Sequence, residues 1–411
     1  MNLIDDTIER FHLRTYLTGV IPFFMLAHFG HHVLTALTVP LLPFVRNDFA
    51  LDYTSSGLMI SAFSLAYGIG QLPAGWLADR VGARIVITIG ISGVALAGIF
   101  VGLSPNYIML IVFLALMGLA GGGYHPAAAP LISMSVAKKN LGRALGFHII
   151  GGSASFFLAP LIGVAIASAW GWRGTYIGLA VPAFFFGIIF YFTVNRLQNR
   201  QKKTPMPAKG SDGKDTAQFR RRRLAAFIIL STFSGAVIAS VIAFVPLFLV
   251  DHFGVSKKTA GFFLSLIYST GLWAAPLGGY LSDRIGRVRM ILAMSLMLGP
   301  VIYLLNIVPY GIGFGALLLA LGMILMMRMP IAEAYIVSQA PGHLRSTILG
   351  IYYFCVIEGG GVLTPVVGYL IDQFGFQISF TISGATVVVG TFICSLFLIR
   401  IRTNKSPRLY I

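Results

Sequence analysis

Three ionisable residues lie inside long apolar stretches in the second half of the chain: Arg328 and Glu333 share one stretch, and Glu358 lies in the next. A charge at the centre of a membrane span costs about 2.5–3.5 kcal/mol on insertion scales, so it persists mainly where it faces a cavity or a partner. Arginine offers a planar cationic fork that suits a carboxylate, phosphate or phosphonate, and a glutamate can neutralise it or carry a proton. We interpret these residues as candidates for substrate binding and proton coupling, with a structural ion pair between Arg328 and Glu358 as the alternative.

The corresponding stretches of the first half carry histidines instead of charges. One contains AHFGHH, another contains GGGYHP, and a third has a single histidine. The resulting candidates are His28, His31, His32, His125 and His148. Imidazole can relay protons, bind an anion when it is charged, or ligate a transition metal. These roles stay open beside hydrogen-bonded packing, and the metal alternative concerns His28, His31, His32 and His125.

A ten-residue phrase occurs twice, as GWLADRVGAR at residues 75–84 and as GYLSDRIGRV at residues 279–288, about half the chain apart. Superposing the two copies aligns Tyr124 with Arg328, so the triplets YHP and RMP occupy equivalent places. Proline removes a backbone donor and kinks a helix. Both triplets are therefore predicted at a helix kink over a central cavity, and Tyr124 joins the candidate residues.

Composition identifies the elements that position these residues. Of the 411 residues, 57% are hydrophobic and only 10% are charged, and the mean hydropathy is +0.84. Such a balance is far from that of a soluble domain and predicts a polytopic membrane protein. The apolar stretches fall near residues 15–42, 54–77, 85–103, 107–137, 143–169, 174–194, 223–250, 259–282, 288–308, 311–339, 346–371 and 376–400. The predicted fold class is all-α, with 12 transmembrane helices in two pseudo-symmetric six-helix bundles.

The predicted domains are an N-terminal bundle at residues 1–194, a polar, basic, cytoplasmic linker at residues 195–223, and a C-terminal bundle with a short tail at residues 224–411. Cytoplasmic loops carry an excess of Lys and Arg. Placing both termini in the cytoplasm puts most of the 30 Lys and Arg on that side. The formal net charge of +17 is then a topology signal, and nucleic acid is not expected as a partner.

The repeated phrase resembles the loop after the second and eighth helices of the major facilitator superfamily. Gly75, Leu77, Asp79, Arg80, Gly82 and Arg84 match it in the first copy, and Gly279, Leu281, Asp283, Arg284, Gly286 and Arg287 in the second. This resemblance spans the whole chain and implies a gate that closes the cytoplasmic side. The gating candidates are Asp79, Arg80, Arg84, Asp283, Arg284 and Arg287. Each copy departs from the motif once, at Ala83 and at Val288.

A shorter segment around GGGYHP resembles the fosmidomycin-resistance branch of that superfamily, which implies efflux of a small phosphonate-like anion. The segment GGSASFFLAPLIG resembles an exporter pattern through Pro160 and Gly163, although Ser155, Ala159 and Val164 replace glycines. Uptake and efflux both stay open.

Together these features predict an alternating-access secondary transporter of the inner membrane, proton-coupled and monomeric, that moves a small anionic or amphipathic organic solute. No phosphate-binding loop or nucleophile motif is present in the sequence, so an enzyme is not expected, and no cofactor is expected. Besides the substrate, protons and the lipid bilayer are the expected partners. Two alternatives stay open: a transporter of transition metals or metal chelates, and a receptor or scaffold that does not cycle.

Overall fold

The computed structural model describes residues 21–135, 141–198, 217–339 and 345–398, and every regular element in these ranges is helical. The α-helices are α1 (Ile21–Thr35), α2 (Leu42–Phe49), α3 (Tyr53–Val81), α4 (Ala83–Thr88), α5 (Val94–Gly102), α6 (Tyr107–Gly122), α7 (Tyr124–Ser135), α8 (Leu141–Gln198), α9 (Ala217–Phe253), α10 (Lys257–Ser269), α11 (Ala274–Ile285), α12 (Arg287–Leu304), α13 (Ile312–Gln339) and α14 (Arg345–Leu398). A π-helical turn, Ile89–Gly93, joins α4 to α5, and a short 3-10 turn, Thr270–Leu272, follows α10.

Seven helices of the described ranges are long and apolar enough to cross a membrane, or eight if the bent pair α10 and α11 forms one span. Two of these apolar segments, within α8 and α14, are 49 residues long. At 1.5 Å per residue each extends about 74 Å, more than twice the roughly 30 Å of a bilayer core. Each helix is broken by a glycine in the left-handed region, Gly171 (φ 73°) and Gly375 (φ 74°), and each of the resulting parts is long enough to cross a bilayer.

The helices coincide with the predicted apolar stretches, although the full count of 12 spans stays a prediction. The predicted linker is helical at both ends, because α8 continues to Gln198 and α9 begins at Ala217. Residues 199–216 of the linker lie outside the described ranges. The two parts of the chain, residues 21–198 and 217–398, are called the N-terminal and C-terminal halves below.

The repeated phrases form tight turns at one end of the bundle, called the loop face below. Gly82 ends α3 with φ 96° and Gly286 ends α11 with φ 101°. Only glycine adopts these values without steric cost, so the glycine of each repeated phrase is required by the turn it forms.

Helices that begin at the other end, called the opposite face, are capped by side chains there. The Asp52 carboxylate accepts a hydrogen bond from the Ser55 N–H at 2.6 Å, and Asn106 accepts one from the Met109 N–H at 2.9 Å. Hydrogen bonds from Ser55 lower the pKa of Asp52, so the carboxylate stays charged at the positive end of α3.

The two halves contact each other along α3 and α14, and along α8 and α10. A Cβ built on Gly57 would lie 2.7 Å from the Cα of Pro365, and the Ser61 hydroxyl donates to the Gly361 carbonyl at 2.6 Å. Small residues at such positions let two backbones approach closely. The interface between the halves is therefore built on backbone contact, with little room for larger side chains.

Polar contacts at the opposite face also join the halves. Asp372 of α14 accepts from the backbone N–H groups of Tyr53 (2.9 Å) and Thr54 (2.7 Å), and from the Thr54 hydroxyl. Asp251 of α9 pairs with Arg46 and accepts from the Tyr53 hydroxyl at 2.7 Å. We call these five residues the latch. Asp372 belongs to the C-terminal half but caps α3 of the N-terminal half. Separation of the halves at this face would therefore remove a cap from α3.

Candidate functional site

All five candidate histidines meet in the N-terminal half and are called the imidazole cluster. They come from α1, α7 and α8, with ring centroids of His28 and His148 at 4.1 Å and those of His28 and His125 at 5.2 Å. Tyr124 stacks on His31 at 4.4 Å. The sequence could place His28, His31 and His32 on one helix, and the fold adds the residues of the other two helices.

Backbone carbonyls fix the orientation of three of these rings. The Nδ1 of His28 bonds the His148 carbonyl at 2.8 Å, the Nδ1 of His31 bonds the Gly90 carbonyl at 2.7 Å, and the Nδ1 of His148 bonds the Phe24 carbonyl at 3.1 Å. A carbonyl only accepts, so each Nδ1 carries the hydrogen. In the neutral ring, each Nε2 then presents a lone pair.

The remaining contacts distinguish the rings. The Nε2 of His31 accepts from the Tyr67 hydroxyl at 3.1 Å, and the Nε2 of His32 lies 3.1 Å from the Nε2 of His125. In contrast, the Nε2 of His28 is buried and has no hydrogen-bond partner among the described residues. A buried polar atom without a partner calls for a physical explanation.

Glycines make space for the cluster, and sequence reasoning overlooked them. A Cβ on Gly152 would lie 2.5 Å from the Cε1 of His28, and one on Gly151 would lie 2.2 Å from the Met25 carbonyl oxygen. Gly90 lies in the π-helical turn, and its carbonyl bonds the Nδ1 of His31. Such turns are often found at functional sites. The pair Gly151 and Gly152, inside a predicted span, was the sequence feature that could have indicated this close packing.

In the C-terminal half, Arg328 of α13 is only 4% exposed. One of its terminal nitrogens, Nη2, donates to the Ser231 carbonyl of α9, while Nη1 has no partner among the described residues. The hydroxyls of Ser231 and Tyr352 lie 3.1 Å apart beside it. The guanidinium therefore lies beside polar groups, with no balancing carboxylate among the described residues.

Glu358 does not pair with Arg328, so the alternative of a structural ion pair is not observed among the described residues. Instead its carboxylate packs against α3 of the other half, where a Cβ on Gly68 would lie 2.1 Å from its Oε1. That oxygen is buried without a partner. Glu333 lies farther along α13, beside Tyr353. The structure thus separates the three charges that the sequence placed on neighbouring stretches.

The equivalent triplets differ in their backbone. YHP begins α7 at Tyr124 after α6 ends at Gly122, whereas RMP lies inside α13, which runs without a break through Pro330. His125 is exposed, and Met329 at the equivalent position is 54% exposed. The two halves therefore present different groups at matching places.

The gating candidates make contacts within their own halves. Arg84 donates to the Asn195 side chain, and Arg287 donates to the Ala334 carbonyl at 2.8 Å and to Asp283 at 3.1 Å. Arg80 and Arg284 each lie over an aromatic ring of their own helix. The side chain of Asp79 lies outside the described residues. Among the described contacts, the halves are joined at the opposite face and not through these arginines.

A methyl group at Gly68 tests the contact between Glu358 and α3. Gly68→Ala must displace the carboxylate or separate the helices, so we expect transport to fall about 10-fold or more. Gly178→Ala is the matched control, because a Cβ there meets nothing within 4 Å. Transport rates in proteoliposomes, with thermal melting as a folding check, measure the difference. Equal activity of the two variants would show that the contact has no role in transport.

Comparison with known proteins agrees with this architecture. The profile of the Major Facilitator Superfamily matches residues 24–356, with a second match over residues 227–409. The protein named "Probable sulfoacetate transporter SauU" of Cupriavidus necator is 25% identical over 402 residues, covering 89% of this chain and 90% of that protein. The "Multidrug resistance protein MdtG" of Citrobacter koseri is 26% identical, covering 86% of this chain and 88% of that protein.

Among solved structures, a bacterial homologue of the human lysosomal transporter Spinster, in an inward-facing and occupied conformation, superposes with a TM-score of 0.75. It is 18% identical, and the alignment covers 94% of this chain and 96% of that one. At this identity the match supports the fold alone.

The helical fold and the paired loops define a multi-pass membrane transporter rather than an enzyme. The chain belongs to the Major Facilitator Superfamily. Like these relatives, it is therefore a membrane transporter. The resemblance to the fosmidomycin-resistance branch stays a prediction.

Proposed function

We propose that this protein moves a small organic anion across the inner membrane by alternating access, coupled to protons. The observation that carries this proposal is Arg328, a buried cation without a carboxylate partner among the described residues. Arginine does not lose its proton in proteins, so its desolvation needs an anionic partner. A carboxylate, sulfonate or phosphonate offers two oxygens that match the guanidinium fork.

The comparisons support an anion as the substrate class. Sulfoacetate, in the name of one relative, carries a sulfonate and a carboxylate. The other relative is named a multidrug resistance protein, which supports amphipathic compounds as the alternative substrate class. We therefore define an anion panel of small carboxylates, sulfonates and phosphonates, with a hydrophobic cationic drug as its counterpart.

Thermal-shift titration of the purified protein against the anion panel tests the substrate class. We expect at least one anion to raise the melting temperature in a saturable way, because a ligand that binds only the folded state stabilises it by mass action. Stabilisation by the cationic drug alone would contradict the anion assignment and favour a multidrug transporter.

We assign proton coupling to Glu358, because its carboxylate lies between the halves. The carboxylate is partly buried and its Oε1 has no partner among the described residues, so its charged form carries a desolvation cost that protonation removes. Loading a proton therefore favours the packed arrangement of α3 and α14, and release of the proton favours their separation. The proton and the substrate anion would then bias the same movement of the two halves.

Glu358→Gln mimics the protonated carboxyl and separates coupling from binding. We expect proteoliposomes with this variant to exchange labelled anion but to lose accumulation driven by a pH gradient. Glu333→Gln is the matched control on α13 and should retain at least half of the accumulation. Gradient-driven accumulation that is unchanged in Glu358→Gln would remove Glu358 from the coupling step.

Orientation and access complete the proposal. The excess of Lys and Arg supports a cytoplasmic position for the loop face and for both termini. The latch then holds the outer face closed, while the contacts of the gating arginines within each half leave the cytoplasmic side free to open. We propose a monomer whose halves rock about a site near the midplane, as parallel repeats permit.

A further inference from the structure

We infer that His28, His32 and His125 form a binding site for a divalent transition-metal ion. This site goes beyond transport of an organic anion, and it is defined by groups of the N-terminal half alone. One ring nitrogen from each of the three residues lies within 4.8 Å of the others. His28 and His32 come from α1 and His125 from α7, so closure of the site depends on the contact between these two helices.

The spacing of two ligands already suits a metal. The Nε2 atoms of His32 and His125 are 3.1 Å apart. Two imidazoles bound tetrahedrally at about 2.0–2.1 Å from one zinc ion would place their nitrogens roughly 3.3 Å apart. A ring nitrogen of His28, the third ligand, lies within 4.8 Å of the other two. In the absence of metal, one of the two facing nitrogens carries the proton that the ion would displace.

The hydrogen bonds behind two of the three rings are of the kind that metal ligands make. Histidine ligands commonly donate their other N–H to a carbonyl or a hydroxyl, which fixes the tautomer and raises the basicity of the ligating nitrogen. The Nδ1 of His28 bonds the His148 carbonyl at 2.8 Å, and the Nδ1 of His32 lies 3.1 Å from the Thr35 hydroxyl. The Thr35 hydroxyl in turn faces the His32 carbonyl at 3.4 Å, so its oxygen is available to accept.

The unpartnered nitrogen of His28 is the second, independent observation. His28 is 6% exposed, and its Nε2 has no partner among the described residues. Burying an imidazole acceptor without a partner is unfavourable, and a coordinated cation would satisfy it. A purely structural stack of rings would not require this nitrogen to stay free.

The other two histidines support the site without ligating the ion. Both ring nitrogens of His31 are engaged, by the Gly90 carbonyl and the Tyr67 hydroxyl. His148 stacks on His28 at 4.1 Å and accepts its N–H through the backbone carbonyl. The sequence allowed His31 as a metal ligand, and the geometry replaces it with a positioning role.

The ligand type selects the metal. Neutral imidazoles suit Zn²⁺, Ni²⁺, Co²⁺ and Cu²⁺, whereas Ca²⁺ and Mg²⁺ require oxygen ligands. Three protein ligands leave one tetrahedral position, as in catalytic zinc sites. That position can accept water or an oxygen atom of a bound anion.

Titration of the untagged, full-length protein in detergent with Co²⁺ and Zn²⁺ tests the site. We expect one Co²⁺ per chain, with the strong visible absorption of tetrahedral coordination, and displacement of that ion by Zn²⁺. His125→Ala and His28→Ala should each weaken binding about 100-fold or more, since even the loss of an outer-shell partner costs about 10–100-fold. Mg²⁺ should neither bind with this spectrum nor compete.

Matched variants keep the outcome decisive. His252→Ala removes a histidine that stacks on Phe248, away from the cluster, and should leave Co²⁺ binding unchanged. His31→Gln should keep the stoichiometry of one ion per chain. If His28→Ala fails to fold, the exposed His125 provides the deciding variant.

Three results would overturn the site: no saturable Co²⁺ or Zn²⁺ binding, binding that persists in His125→Ala, or binding that is lost in His252→Ala. The titration needs no transported solute, so its failure is distinct from failure of anion transport. Conversely, Arg328→Ala should bind Co²⁺ like the wild type even where anion binding is lost.

Discussion

We expect Arg328→Ala to abolish measurable binding of every member of the anion panel. A bidentate anion makes two charge-assisted hydrogen bonds to the guanidinium, each contributing about 1.5–3 kcal/mol. Losing both lowers the affinity by roughly 100-fold to 10,000-fold at 1.4 kcal/mol per factor of ten. Isothermal titration with the best-binding member of the panel measures this loss. Arg328→Lys keeps the charge but not the fork, so its affinity should fall between those of the wild type and Arg328→Ala.

The stability of Arg328→Ala separates a binding role from a structural one. Arg328 is buried and has no carboxylate partner among the described residues, so its removal also removes a desolvation cost. We expect a melting temperature equal to or above that of the wild type in the absence of ligand. Arg173→Ala, which breaks the pair with Asp48 at the opposite face, is the control and should bind anion normally. Loss of folding in Arg328→Ala, or unchanged anion affinity, would contradict the role assigned to Arg328.

Breaking the latch should open the opposite face. The double variant Asp251→Ala/Asp372→Ala removes the ion pair to Arg46 and the cap on α3. A helix cap contributes about 0.5–2 kcal/mol and an exposed ion pair about 0.2–1 kcal/mol. Their sum, roughly 0.7–3 kcal/mol, shifts the balance between closed and open forms by about 3-fold to 150-fold.

Thiol labelling reports this opening. Ser61→Cys, in a Cys355→Ser/Cys394→Ser background, places a thiol at a buried contact between the halves, since Ser61 is 4% exposed. In the latch variant, a membrane-impermeant reagent should label this thiol faster than in the protein with an intact latch, by about 3-fold to 150-fold. Asp48→Ala is the matched control, because the Asp48 pair with Arg173 lies within one half. Equal labelling rates in the latch and control variants would mean that the latch does not hold this face closed.

Much of the fold was predictable because a membrane imposes simple rules. A span requires a long apolar stretch, and the predicted stretches coincide with the helices described. The turn glycines Gly82 and Gly286 were recognisable because a repeated phrase with a fixed glycine points to a backbone conformation that other residues avoid. The breaks at Gly171 and Gly375 fall between stretches that the sequence already separated.

The site was predictable in its residue types but not in its pairing. Intramembrane charges and histidines are rare enough to be identified as candidates, and the five histidines do meet. The contact of Glu358 with α3 was not predicted, because helix periodicity relates residues on one helix and says nothing of which helix of the other half packs against it. Gly68 shows this limit. A side chain there would collide with Glu358, which is 290 positions away in the chain, so the need for glycine is visible only in the folded structure.

Hydrogen-bond networks were likewise beyond the sequence. His31 and His28 are neighbours on α1, yet one is fully engaged and the other has a free nitrogen. That difference depends on the carbonyl of Gly90 in a π-helical turn and on the hydroxyl of Tyr67, which arrive from separate helices. Only the assembled bundle distinguishes a ligand from a positioning residue.

Uptake into proteoliposomes tests the central claim most directly, that Arg328 binds an organic anion which the protein moves with protons. Labelled members of the anion panel are supplied to vesicles containing the wild type or Arg328→Ala, with and without an imposed pH gradient. The account predicts that the wild type accumulates at least one anion above its equilibrium level, that a proton carrier collapses this accumulation, and that Arg328→Ala shows none. No accumulation of any panel member, or equal accumulation in Arg328→Ala, would contradict it.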